Sequence, residues 1–336
     1  MDSAAFDYDL PDASIAQQPA WPRDSSRLLV DGDPPRHART RDLPDLIRPG
    51  DLIVLNDTRV MPARLHLRKD TGGAVEVLAL EELAEPEGWW EALVRPSRRV
   101  PDGTVLVDHI GLPVLEVGAA TGEGSRLVRP VGVTMATLLE HLGSVPLPPY
   151  ITAPLEDPER YQTVYAAEAT SVAAPTAGLH LTPAVLDRCR DAGAEIVTVE
   201  LSVGVGTFRP IEVDDVDGHT MHSERYRVAP EIWQAVQDAE RVVAVGTTVV
   251  RTLESVAATG ALEGRTELYI RPGHRFGAVD ALLTNFHMPR STLLVMIEAF
   301  VGPRWRDLYA LAVAEGYRFL SFGDAMFLER GDNRSS

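Results

Sequence analysis

Two residue types are almost missing from this chain: it has one cysteine, Cys189, and one lysine, Lys69. A single thiol excludes an internal disulfide and a multi-cysteine zinc site. In the run DRCRDAG (187–193) it reads as an inert thiol on a helix flank. With positive charge carried almost wholly by arginine, an anion site is expected to use guanidinium forks, the better match to phosphate. Long apolar runs are missing too. No stretch approaches the roughly 18 consecutive apolar residues of a membrane span. The N-terminus, MDSAAFDYDLPD, is acidic where a signal peptide is basic and then apolar, so a soluble cytoplasmic protein is expected. Positive charge is in deficit, 32 Lys and Arg against 49 Asp and Glu, a net −17. That argues against non-specific adhesion to nucleic acid but leaves room for a local basic patch.

What is present is a chain of 336 residues, 45% hydrophobic, enough for one large domain or two ordinary ones. An apolar strand, DLIVLNDTRV (51–60), follows the turn Arg48-Pro49-Gly50. From Ala63 to about Gly143 the texture is short alternating stretches, AVEVLAL (74–80), WWEALV (89–94) and TVLVDH (104–109). Turns at Thr71-Gly72-Gly73 and Pro101-Asp102-Gly103 separate them, and the spacing predicts an all-β module. VPLPPYI (145–151) reads as a stiff linker. Beyond residue 160, candidate strands at 195–201, 242–247 and 267–272 alternate with candidate helices at 183–192, 230–240 and 304–315. The expected fold is α/β: a barrel-like α/β main domain, residues 1–61 plus 151–336, with an inserted all-β barrel domain at 62–150.

Polar residues gather where strands should end, the usual place for ligands in α/β folds. Asn56, Asp57, Thr58 and Arg59 follow the first apolar strand. In SVAAPTAGLHLT (171–182) a buried strand end runs into Thr176, Gly178 and His180, with Thr182 as N-cap and Pro183 opening a helix. Gly178 is expected to let the backbone approach a ligand. Gly204, Gly206 and Thr207 offer flexible amides that suit a carboxylate or ribose. Thr247 and Thr248 stand at a helix start, with Arg251 and Glu254 a turn apart. His219, His222 and Glu224 suit proton transfer or a metal, although their spacing is not that of HExxH. Asn285 and His287 flank a proline break, and Asp324 follows a glycine. Basic clusters lie at Arg64, Arg68 and Lys69, at Arg95, Arg98 and Arg99, and at Arg304 and Arg306.

These clusters carry a resemblance. IAQQP (15–19), RDSSRLLV (23–30), PGDLIVLNDTRVMPARL (49–65), PLPPYI (146–151), YQTVYA (161–166), SVAAPTAGLH (171–180), MHSE (221–224), VGTT (245–248), TNFHMP (284–289) and YRFLSFGDAM (317–326) resemble, in order, the S-adenosylmethionine:tRNA ribosyltransferase-isomerase family of queuosine biosynthesis. The resemblance implies transfer and isomerisation of the ribosyl group of S-adenosylmethionine onto 7-aminomethyl-7-deazaguanine at the tRNA wobble position. Epoxyqueuosine forms, and adenine and methionine leave. S-Adenosylmethionine is then a consumed cosubstrate, with no metal or other cofactor required. The implied partners are the tRNA anticodon loop and S-adenosylmethionine, with no membrane, and the chain is expected to act as a monomer.

Site roles follow as expectations. His180, His287 and Asp324 are the catalytic candidates, with His180 closest to the reacting ribose, and Arg251 is a fork for the methionine carboxylate. The other strand-end residues bind substrate, and Arg64, Arg68 and Lys69 contact tRNA. The chain departs from the family pattern at Leu181, Ser202, Val249 and Glu298. Two alternatives accompany the main expectation: a paralogue that donates ribosyl to a small-molecule acceptor, and a non-catalytic tRNA- or nucleotide-binding module.

Overall fold

A computed structural model describes residues 1–121, 124–204 and 215–331. The chain forms two compact units. The first comprises Met1–Arg59, Pro148–Glu168 and the chain from Ala174 onward, the second Val60–Leu147 and Ala169–Ala173.

The chain opens with strands β1 (Arg27–Val30), β2 (Arg36–Arg39) and β3 (Asp51–Asn56). It continues through β4 (Arg59–Val60), β5 (Arg64–Lys69), β6 (Ala74–Glu82), β7 (Trp90–Arg95), β8 (Thr104–Val107), β9 (Pro113–Ala120) and β10 (Arg126–Pro130). Helix α1 (Met135–Leu142) and the short β11 (Gly143–Ser144) and β12 (Ala169–Ser171) follow. Six of these strands pair antiparallel in the order β5-β6-β7-β10-β9-β8, and β8 returns to β5 to close a barrel. Closure removes the open edges through which sheets aggregate. The two-residue period puts Leu65, Leu67, Val75, Val77, Val94, Leu106 and Val117 inside. The turns expected at Gly72 and Gly103 are present, with φ of +87° and +77°, a backbone that other residues rarely adopt.

The first unit is built on a nine-stranded mixed sheet. Its later strands are β13 (Glu195–Leu201), β14 (Glu224–Arg227), β15 (Arg241–Val245), β16 (Glu263–Thr266), β17 (Ala281–Asn285) and β18 (Ala325–Glu329). The order is β16-β14-β13-β3-β15-β17-β18-β1-β2. The central four, β13, β3, β15 and β17, run parallel. Of these, β3, β15 and β17 are buried along their whole length because both faces are covered, while β13 alternates buried with exposed positions. One layer of core joins Leu28, Ile53, Leu55, Val243, Val245, Leu283 and Phe327 to Val185, Leu186 and Cys189 of α2 (Pro183–Asp191). Burial pushes the Cys189 thiol up to about 11, so it is inert. Helices α3 (Pro230–Asp238), α4 (Thr247–Thr259), α5 (Thr292–Val301) and α6 (Trp305–Ala314) complete the unit, with α4 packed against β3, β13 and β15.

Two sequence expectations need correction. The strand expected over 267–272 is displaced to Glu263–Thr266, because its partner β14 starts at Glu224, which pairs with Thr266. Residues beyond Thr266 run past that ladder, and alternation alone does not hold them extended. The buried strand expected to end near Ala174 ends at Ser171. What positions the site is the parallel quartet: Asn56, Leu201, Val245 and Asn285 end adjacent strands on the same side of the sheet.

Candidate active site

A cleft of about 710 Å³ of atom-free space, part of it open to solvent, lies at those strand ends. Its walls come from Tyr150, Ala174–Ala177, Val203, Gly246–Thr248, Thr284–Met288, Ser291, Leu293, Leu320 and Ser321. Gly246 makes the β15–α4 junction possible: its φ is +93°, and a Cβ there would stand 3.6 Å from that of Ala177. The chain turns directly into α4, so Thr247 and Thr248 present a helix N-terminus to the cleft. The unpaired N–H groups of a first turn favour an anionic group.

One wall is a network of buried amide, imidazole and hydroxyl groups. Asn285 Nδ2 lies 2.9 Å from His180 Nε2 and donates to the Leu320 carbonyl at 3.2 Å, while Asn285 Oδ1 accepts from Thr176 Oγ1 at 3.0 Å. His287 lines the cleft, its Nε2 3.0 Å from Thr284 Oγ1. Its peptide is held from both sides: the Tyr8 hydroxyl donates to its carbonyl at 2.5 Å, and its N–H donates to the Tyr309 hydroxyl at 3.0 Å. Burial pushes the pKa of His287 down to about 3. His180 is also pushed down to about 3, first by burial and then by the charges of Arg318 and Arg23. Both imidazoles are neutral at physiological pH. Tyr150 also lines the cleft; its phenol, pushed up to about 12 by burial, shares a 2.7 Å hydrogen bond with Ser321.

Asn56 ties the strand ends together. Its Nδ2 donates to the Leu201 carbonyl at 3.0 Å and to Thr248 Oγ1 at 3.4 Å, and its Oδ1 accepts from the N–H groups of Leu201 and Thr58. Thr58 also donates to the Leu201 carbonyl. Next to this seam, Glu224 is a buried bridge. One oxygen accepts from the Gly204 N–H at 3.1 Å and the other is paired with Arg251.

With this geometry in place, the family can be read from known proteins. A family model described as "Queuosine biosynthesis protein" matches residues 3–328. The chain belongs to this family. A relative from Rubrobacter xylanophilus named S-adenosylmethionine:tRNA ribosyltransferase-isomerase is 52% identical over 330 residues, 97% of this chain and 97% of its own. One of the same name from Thermus thermophilus is 51% identical over 345 residues, 96% and 98% of the two chains. A crystal structure of S-adenosylmethionine tRNA ribosyltransferase from Thermotoga maritima matches at 35% identity and a TM-score of 0.55, covering 96% of this chain and 99% of that one. The end-to-end resemblance of the motifs is therefore borne out.

The structure brings Thr176, Thr247, Thr248, Asn285 and His287 to the cleft, with Asn56 directly behind Thr248. Several expected roles change. His180 is buried behind Asn285 and, unlike His287, is not among the residues that line the cleft. Gly178 makes room for protein, not ligand: a Cβ there would stand 1.9 Å from the Tyr165 hydroxyl. Arg251 is buried and donates to Glu224 and to the carbonyls of Leu268 and Thr266, so its guanidinium is already engaged by protein groups. Glu254, expected beside it, instead accepts from the N–H groups of Gly277, Ala278 and Val279. Asp324 braces two segments, accepting from the N–H groups of Arg27 and Arg318 at 2.9 and 2.8 Å.

Asp57 is held by a hydrogen bond from Thr198, its carboxyl raised mainly by burial, and Arg59 is paired with Glu159. Half-buried His219 stacks edge-on to Tyr269, with His222 near enough to lower its pKa further after burial. Among the described residues no group of three His, Cys, Asp or Glu is arranged to hold a metal. Gly206 and Thr207 lie outside the described residues. Sequence reasoning missed Tyr150, placed in a supposed linker, and Ser321. The signal for Ser321 was the crowded RFLSFG turn, in which Leu320 takes a φ of +68°.

On the barrel, Arg64 and Arg68 alternate outward with His66 along β5, and Arg95 lies opposite Glu76. Arg64 donates to the Leu147 carbonyl, and Lys69 donates to that of Arg99. Among the described residues no helix is long and apolar enough to cross a membrane.

Proposed function

We propose that the chain transfers and isomerises the ribosyl group of S-adenosylmethionine onto the aminomethyl group of 7-aminomethyl-7-deazaguanine at the wobble position of a tRNA. Epoxyqueuosine is formed, and adenine and methionine are released. The observation that carries this reading is the cleft at the ends of β15 and β17, into which Thr176, Thr247, Thr248, Asn285 and His287 bring polar groups, in a chain of this family. The sulfonium acidifies the adjoining ribose carbon, so a base that takes that proton starts the loss of adenine, and methionine leaves as the epoxide closes. S-Adenosylmethionine is consumed, and this sequence of steps calls for no metal or redox cofactor.

In this reading the first unit is the catalytic one. The N-terminus of α4 at Thr247 and Thr248 receives the methionine carboxylate in place of Arg251. His287 is the proton acceptor: it faces the cleft and has its peptide clamped by Tyr8 and Tyr309. Asn56, Glu224 and Gly204 hold the strand ends that shape the pocket, while Asp57, Arg59, His219, His222 and Asp324 support its surroundings. Arg64, Arg68 and Lys69 on the barrel grip phosphates of the anticodon loop, whose splayed base enters the cleft. The protein works as a cytoplasmic monomer. His287→Ala should lower turnover by roughly a hundredfold or more while leaving cosubstrate affinity within a few-fold. Turnover near that of the unsubstituted chain would remove His287 from this role.

A further inference from the structure

Building on the proposal that S-adenosylmethionine occupies this cleft, we infer that Thr176 offers its hydroxyl oxygen as an acceptor to a donor of the nucleoside, a ribose hydroxyl or the exocyclic amine. His180 is the positioning residue that fixes this polarity. The inference follows from who can donate. The Leu320 carbonyl can only accept, so the Asn285 atom 3.2 Å from it is the amide nitrogen. The same nitrogen lies 2.9 Å from His180 Nε2, which must therefore be the ring nitrogen without a proton. His180 is then the neutral tautomer protonated at Nδ1.

With the amide held this way round, Asn285 Oδ1 faces Thr176 Oγ1 at 3.0 Å and can only accept. The Thr176 hydroxyl proton is committed to it. Thr176 is half-buried in the cleft wall, so what its oxygen presents to a ligand is lone pairs. A protonated His180 would set two donors face to face and release the amide to flip. Burial, with Arg318 and Arg23 close by, keeps that from happening near neutral pH by holding the imidazole down at about 3. With its lone pair taken and its ring behind Asn285, His180 acts through Thr176 and does not touch substrate.

The test is calorimetric titration of the full chain with S-adenosylmethionine, with adenine release followed across pH. Thr176→Val keeps the shape and removes the acceptor, and should weaken binding by about five- to tenfold, the usual scale of one hydrogen bond. Thr176→Ser keeps the acceptor and should stay within about threefold of the unsubstituted chain. His180→Gln, whose amide oxygen can accept from Asn285, should recover most turnover and leave the acid limb of the pH profile in place. His180→Ala should lose affinity as Thr176→Val does, and the double variant should be no weaker than the worse single one, since both remove the same contact.

Unchanged binding by Thr176→Val, or additive losses in the double variant, would overturn the inference. So would loss of the acid limb in His180→Gln, which would make His180 the base. If the unsubstituted chain does not bind S-adenosylmethionine at all, the underlying proposal fails instead, and the two failures are distinct. Should His180→Ala not fold, the Thr176 pair and His180→Gln still decide the matter.

Discussion

Arg251 shows what a residue name leaves open. On a helix next to threonines it invites a role as a carboxylate fork, yet its guanidinium is buried against Glu224, which in turn holds the N–H of Gly204. Glu224 is 27 positions away in sequence, and no local spacing reveals the pair. Arg251→Met should therefore act on stability first. It leaves a carboxylate buried without its partner, a loss of about 3–5 kcal/mol that chemical denaturation would measure. A change below about 1 kcal/mol would mean that the pair is not desolvated as described. His180 and His287 make the same point. Both stand beside turns in the sequence and both are buried, and only their tertiary neighbours decide that one meets the cleft and the other supports an amide. Several polar residues of the candidate site were legible, although Tyr150 and Ser321 were not, and which groups are spent on one another was not legible at all.

Elements were more legible than partnerships, and for physical reasons. Thr182-Pro183 announced α2: the Thr182 hydroxyl accepts from the Val185 N–H at 3.3 Å. Thr182→Ala should cost about 1 kcal/mol, seen as a lower thermal midpoint without loss of the folded spectrum. No shift would mean that water or a neighbour replaces the cap. The barrel strands were visible because one face of each is wet, which imposes alternation. Helix α5 was not, because Thr292, Leu294, Val295, Met296, Ile297, Phe300 and Val301 are buried nearly all round, and a helix without a polar face has no 3.6-residue pattern to read. The Glu263–Thr266 strand was missed for the opposite reason: EGRT has poor strand composition, and only pairing with β14 extends it.

For the whole molecule, the two neutral imidazoles set an acid limit. Their folded pKa values, about 3, lie below the roughly 6.5 of an exposed histidine. These two side chains therefore bind up to two more protons in the unfolded chain than in the folded one as pH falls below that value. Their contribution is complete above about pH 6.5 and is lost toward pH 3, by up to about 1.4 kcal/mol per pH unit for each histidine. Urea midpoints should fall between pH 6.5 and 5, and His180→Gln should reduce the slope. A flat response over that window would contradict the burial of both rings. At this scale the sequence was most informative, because the order of motifs from residue 15 to 326 already resembled one family, which the match over residues 3–328 bears out. The net charge of −17 carried no such information, since electrostatic footprints are local and the total is not.

The central claim is that this chain uses S-adenosylmethionine as a ribosyl donor to tRNA. The direct measurement is release of adenine from S-adenosylmethionine, with and without tRNA that carries 7-aminomethyl-7-deazaguanine at the wobble position. Release that depends on that tRNA, with one ribosyl-derived group gained per tRNA, is the result expected. Release that needs only a small deazapurine, or binding of S-adenosylmethionine without any release in the presence of the modified tRNA, would contradict it.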